Sequence, residues 1–125
     1  MECACVYVDV YSSYPDFFEE RNRKAVKQHK CSECNRTIET GEIYNYIVGK
    51  WEGYFDIFKM CDDCCSIRKS FFCEGFSFGG MIEELYNHIE SLNGDISSDC
   101  IKPLTKKARE MVCEMIERQW NDYED

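Results

Sequence analysis

Two Cys-x-x-Cys pairs, Cys31/Cys34 and Cys61/Cys64, stand 26 residues apart in this chain of 125 residues and constrain its fold more than any other feature. A Cys-x-x-Cys turn brings two sulfurs to one metal ion. One pair is a weak signal, whereas two pairs specify the four sulfurs of a tetrahedral Zn²⁺ site. The segment between them is punctuated for that purpose. Thr40-Gly41-Glu42 reads as a turn, and Ile43 to Val48 and Tyr54 to Met60 are rich in β-branched and aromatic residues. Gly49-Lys50-Trp51-Glu52-Gly53 supplies a glycine-flanked turn that makes the two runs a hairpin. Cys61-Asp62-Asp63-Cys64 then enters Cys65 to Phe72, which holds no helix breaker, so the second pair falls in the first turn of a helix. The helix dipole favours thiolates at that end. Knuckle, hairpin and helix, in that order, predict a treble-clef zinc finger.

Four sulfur ligands leave no open position on the metal, which is therefore structural rather than catalytic. They also leave the centre at a net charge of −2, which Lys30, Arg36 or Lys59 could offset. The chain has ten cysteines in all. Cys3 and Cys5 form a Cys-x-Cys pair, Cys73 follows the zinc helix, and His29 stands two residues before Cys31. These four suggest a second metal site, and the competing reading is a set of unliganded thiols beside a surface histidine. Cys65, Cys100 and Cys113 read as small buried apolar residues.

Composition bounds the rest. At 44% hydrophobic and 14% aromatic residues the chain can build a core. No long uncharged apolar run offers a membrane-spanning helix. Met1-Glu2-Cys3-Ala4-Cys5 lacks the basic and apolar regions of a secretory signal. The expected compartment is thus a reducing cytoplasm, where metal ligation outranks disulfides. A net charge of −9 disfavours a general polyanion binder.

Beyond the metal module, Gly75, Gly79 and Gly80 mark a bend. Met81, Ile82, Leu85 and Ile89 then repeat at helical spacing up to Asn93-Gly94. From Pro103, suited to a first helical turn, to Tyr123 runs a longer amphipathic stretch with Leu104, Ala108, Met111, Val112, Met115, Ile116 and Trp120 on one face. The expected architecture is α+β. Residues 1–94 hold the zinc module with its N-terminal segment and first amphipathic helix, and residues 95–125 form an acidic helical extension packed on it. From residue 81 onward eleven acids face five bases.

Catalytic readings find little footing. A His-Asn-His type nuclease needs histidines on the hairpin and the helix, and both histidines of this chain lie elsewhere. His88-Ile89-Glu90 matches half of a zinc deaminase signature, but both Cys-x-x-Cys pairs lie upstream of it and neither follows a proline. No phosphate-binding loop occurs, and no histidine is placed to activate a cysteine. The expectation is a protein that is not an enzyme.

Surface candidates remain. Arg21 to Lys30 is a basic cluster, either a nucleic-acid contact or a solvated segment that balances the thiolate centre. Trp51, at the expected hairpin tip, is either a protein-binding anchor or folded back on the hairpin. Met111, Met115 and Trp120 belong to the core or to a homodimer seam. Glu110, Glu114 and Glu117 line the acidic side of the last helix.

The run Lys27-x-His29-Lys30-Cys31-x-Glu33-Cys34, then Ile38-x-x-Gly41-Glu42-x-Tyr44, then Gly49-Lys50-Trp51-Glu52-Gly53 and the Cys61/Cys64 pair, resembles a family of small, largely uncharacterised bacteriophage and prophage proteins. The likeness covers about the first 80 to 90 residues and leaves the tail beyond residue 95 uncovered. It implies Cys31, Cys34, Cys61 and Cys64 as zinc ligands, and Cys3, Cys5 and Cys73 as a recurring second group. The family often has a further Cys where this chain has Gly75. A phage origin implies residence in a bacterial host's cytosol. With the acidity, it suggests an inhibitor that binds a host nucleic-acid-handling or defence complex. The alternatives are a nucleic-acid-binding regulator that uses Arg21 to Lys30, and a phage assembly factor.

Overall fold

The computed structural model describes residue 6, residues 17–72 and residues 78–124. Its strands are β1 (Phe17–Lys24), β2 (His29–Lys30), β3 (Thr37–Ile38), β4 (Ile43–Trp51) and β5 (Tyr54–Met60). The helices are α1 (Asp62–Phe71), α2 (Met81–Ser91), α3 (Ser98–Ile101) and α4 (Lys106–Glu124). Strands β1, β4 and β5 form an antiparallel sheet with β4 central, and β2 and β3 form a separate short hairpin. The architecture is mixed α+β.

The hairpin expected between the cysteine pairs is present and tighter than its glycines suggested. β4 continues through Gly49 and Lys50 to Trp51, which pairs with Tyr54 across a two-residue turn. Glu52 and Gly53 both take positive φ, 51° and 86°, as a right-handed-twist hairpin of this length demands. Gly49 is needed for another reason: a Cβ there would meet the Trp51 ring at 2.3 Å. The indole folds back along its own strand and packs edge-on against Phe58 and Phe78, with ring centroids 5.6 and 5.8 Å away.

Strand β1 was not expected. Phe17–Lys24 carries five charged residues and no alternation, yet all eight of its residues pair with β4, from Phe17 against Lys50 to Lys24 against Ile43. Backbone pairing builds this edge strand, side-chain contacts such as Glu20 with Arg68 at 2.9 Å and Phe18 with Phe78 tie it down, and its charges discourage further pairing with other chains.

Side chains of β4 alternate as a half-buried strand must. Asn45, Ile47 and Gly49 are buried, whereas Tyr46, Val48 and Lys50 are half-buried on the opposite face. On the buried side α1 lies against β4, α4 packs on α1 and α2, and α3 touches α1. The core joins Ile47 and Met60 of the sheet, Ile67 and Phe71 of α1, Leu85 and Ile89 of α2, and Val112 and Ile116 of α4. The two segments read as 1–94 and 95–125 thus share this core.

Two expectations change in the C-terminal half. The long helix starts at Lys106, after Thr105 whose hydroxyl accepts the Ala108 N–H at 3.2 Å. Pro103 lies in the turn between α3 and α4 instead of in a first helical turn. Cys100 is buried as expected but is disulfide-bonded, whereas Cys65 and Cys113 are free.

Gly94 follows α2 with φ +76°, and a Cβ there would lie 2.8 Å from Trp120 Nε1. Gly94→Ala therefore combines left-handed strain with a clash. It should cost about 1–3 kcal/mol in urea unfolding. An unchanged midpoint would remove this account of how α2 ends against α4.

Candidate metal centre

The first cysteine pair is set by the short β2–β3 hairpin. The Asn35 N–H bonds to Cys31 O at 3.0 Å and the Cys31 N–H to Arg36 O at 2.9 Å, closing a turn in which Asn35 takes φ 64°. Asparagine tolerates that left-handed conformation better than most residues. Ser32 then docks the knuckle on the end of β5. Its N–H donates to Lys59 O at 2.7 Å, and its hydroxyl accepts the Lys59 N–H at 2.9 Å. The second pair begins two residues later. Cys61 is the N-cap of α1, its sulfur accepting the Cys64 N–H at 3.5 Å.

All four sulfurs lie within 4.8 Å of one another. Cys31 Sγ is 3.8 Å from Cys64 Sγ, and Cys34 Sγ is 3.8 Å from Cys61 Sγ. A tetrahedron of four ~2.3 Å zinc–sulfur bonds has edges of about 3.8 Å. The donor set and its spacing fit Zn²⁺. Cys31, Cys61 and Cys64 are buried and Cys34 is half-buried, so the cluster is shielded from water.

Without a cation such a cluster shares protons unevenly. Hydrogen bonds from Cys34, Cys61 and Cys64 hold the Cys31 thiol far below its ordinary range. Cys34, though raised by Cys31, is drawn down to about 7 by Cys61 and Cys64. Cys64 is pushed far up, first by Cys31. Four adjacent thiols thus cannot all ionise alone, and a divalent cation is what lets them.

Of the three cations expected near the centre, Arg36 is the one in place. Its Nε lies 3.2 Å from Asp63 Oδ2 and its Nη1 lies 3.1 Å from Glu42 Oε2. Against its own desolvation, the charges of Cys61 and Glu42 hold it more firmly protonated. Lys30 instead donates to Thr37 Oγ1, and Lys59 lies 3.1 Å from His29 Nδ1.

The centre also fixes the helices around it. Glu33, inside the first knuckle, accepts the N–H groups of Gly79 and Met81 at 2.7 and 3.0 Å, capping α2. Burial raises its carboxyl above the usual range. Asp63, in the first turn of α1, accepts the Thr105 hydroxyl at 2.6 Å, and Ser66 Oγ accepts the Thr105 N–H at 3.3 Å. Each cysteine pair therefore carries, within or beside it, an acid that anchors a distant helix. Glu33 gives no local sequence signal for this, because its partners lie 46 and 48 residues on. Thr105, a favoured N-cap residue, was the readable hint.

The other candidates fall in separate places. His29 packs against Tyr44, with ring centroids 5.2 Å apart, and is not part of the four-sulfur cluster. Cys3, Cys5 and Cys73 lie outside the described residues. Trp51 is half-buried on Gly49. Met115 is buried and Met111 half-buried, and Trp120 lies against Gly94 with half its surface exposed. Glu110, Glu114 and Glu117 are exposed on α4, with Glu114 paired to Arg118 at 2.9 Å. The basic run is split: Arg21, Arg23 and Lys24 lie in β1, Lys27 in the following loop and Lys30 in β2.

Comparison with protein-family models, with curated proteins and with solved structures finds no match for this chain. No described helix is long and apolar enough to cross a membrane.

Stripping the metal with a chelator should abolish the α1 and hairpin structure, read as lost far-ultraviolet circular dichroism and exposed tryptophan fluorescence. A spectrum unchanged without metal would contradict a structural centre. Glu33→Ala should keep the metal but lose about 1 kcal/mol of stability, as the loss of a helix cap does. Loss of the metal along with the cap would show that Glu33 serves the centre itself.

Proposed function

We propose that the protein is a non-catalytic binding module of phage type. In this reading the metal is one structural Zn²⁺ in a treble clef, and the acidic C-terminal helices engage a protein. The zinc reading is supported by the four-sulfur cluster, whose donor number leaves no coordination position for a substrate. The treble clef is supported by the order of the elements: the β2–β3 knuckle, the β4–β5 hairpin, then α1 carrying the second pair. The phage assignment rests on the motif likeness across residues 27–64.

The observation that carries the binding surface is the placement of charge on α4. Its apolar side, with Ala108, Val112 and Ile116, is buried against α1 and α2, which turns Glu110, Glu114 and Glu117 outward. Asp63 and Ser66 hold its first turn to the zinc helix, so the acids sit on a rigid support. Three acids on a rigid helix, set among the exposed bases Lys106, Lys107, Arg109 and Arg118, are suited to a basic groove, such as one that a host complex uses for DNA or RNA. Complementary charge there speeds encounter and excludes the natural ligand. The protein thus acts as an inhibitor of a host nucleic-acid-handling or defence complex in the bacterial cytosol.

The test is affinity capture from host lysate with and without nuclease, using the wild-type chain and Glu110→Lys/Glu114→Lys/Glu117→Lys. A stoichiometric host protein should survive nuclease and be lost with the triple variant. Capture that survives charge reversal, or vanishes with nuclease, would overturn the reading.

A further inference from the structure

The sheet face turned away from α1 carries a pattern that neither the metal centre nor the acidic ridge uses. Pairing aligns two mixed rows across it, Phe17–Lys50–Phe55 and Arg21–Tyr46–Lys59. Between them lie Val48 and Ile57, the latter 49% exposed. Phe55 is 67% exposed, which is unusual for an aromatic residue in a strand of a small domain.

The charges here oppose those of the molecule as a whole. Arg21, Arg23, Lys50 and Lys59 face one acid of the same strand surface, Glu19, which pairs with Arg21 at 2.8 Å. Lys27 and His29 border the Arg23 end, with His29 Nδ1 3.1 Å from Lys59 Nζ. The bases are interleaved with the rings. The Arg23 guanidinium stacks 4.1 Å over Tyr46, and Lys50 Nζ stands 5.5 Å over Phe55.

We propose that this face binds single-stranded nucleic acid, bases stacking on Phe55 and on the Arg23–Tyr46 pair while Arg21, Lys50 and Lys59 hold phosphates. Rings and guanidinium planes lying open on a sheet accept the unstacked bases of a single strand, which a duplex keeps inside. Strand geometry places the two mixed rows about 13 Å apart, room for a few nucleotides. Four bases and one acid lie on this strand surface, so the overall charge of −9 does not describe it. The proposal is independent of the protein-binding ridge on α4.

Fluorescence anisotropy of the zinc-loaded full chain with labelled dT and rU 12-mers, and with a duplex of equal length, tests it. The expected result is saturable binding to a single strand, weaker on the duplex, with log affinity falling against log salt at a slope of about −2 for the three phosphate contacts. Phe55→Ala should weaken binding about fivefold or more, and Lys50→Ala should reduce the salt slope by about one. Circular dichroism and zinc content verify that both variants fold. A preference for dT or for rU names the polymer and supports the proposal either way. The triple charge reversal on α4 should leave the single-stranded site functional, which separates this surface from the acidic ridge. Absence of saturation by about 100 µM at low salt would overturn the proposal, since non-specific contact alone reaches that range. So would equal affinity for the duplex, equal competition by polyglutamate, or variants that change neither affinity nor slope.

Discussion

Everything in this fold depends on bringing four cysteine sulfurs, from two segments 26 residues apart, to one point. Unmetallated, the cluster is a liability, because its thiols cannot all ionise and a buried thiolate lacks solvation. With a divalent cation the same sulfurs become the strongest link between the knuckle and α1, and binding free energy becomes folding free energy. The rest of the structure exploits that fixed point. Ser32 joins the knuckle to β5, Glu33 joins it to α2, and Asp63 joins α1 to α4. A small domain with limited apolar area gains its rigidity from such a staple.

Much of this was readable from residue types. The Cys-x-x-Cys pairs, the β-branched runs and the periodic apolar positions of residues 81–91 mark the ligand set, the hairpin and α2, because each is a local signal. What escaped was non-local. Strand β1 forms because β4 offers an unpaired edge, which nothing within Phe17–Lys24 announces. The turn at Glu52-Gly53 is shorter than five glycine-flanked residues suggest, because Gly49 serves the Trp51 ring and not the turn. Pro103 stands where a helix start was expected, and Thr105 with its bond to Asp63 sets the real one. Cys100 reads as an inert buried thiol in isolation and is instead disulfide-bonded.

Charge is unevenly spread over the surface. Glu110, Glu114 and Glu117 lie exposed on one helix, and the outer sheet face carries arginines and lysines among open aromatic rings. Net charge averages over these two surfaces and so understates both.

The most direct test of the central claim is X-ray absorption at the zinc edge of the purified protein. The account predicts one shell of four sulfurs at about 2.3 Å, the bond length that makes the observed 3.8 Å sulfur separations the edges of a tetrahedron. A shell containing nitrogen or oxygen, or a protein that folds with no metal at all, would contradict it.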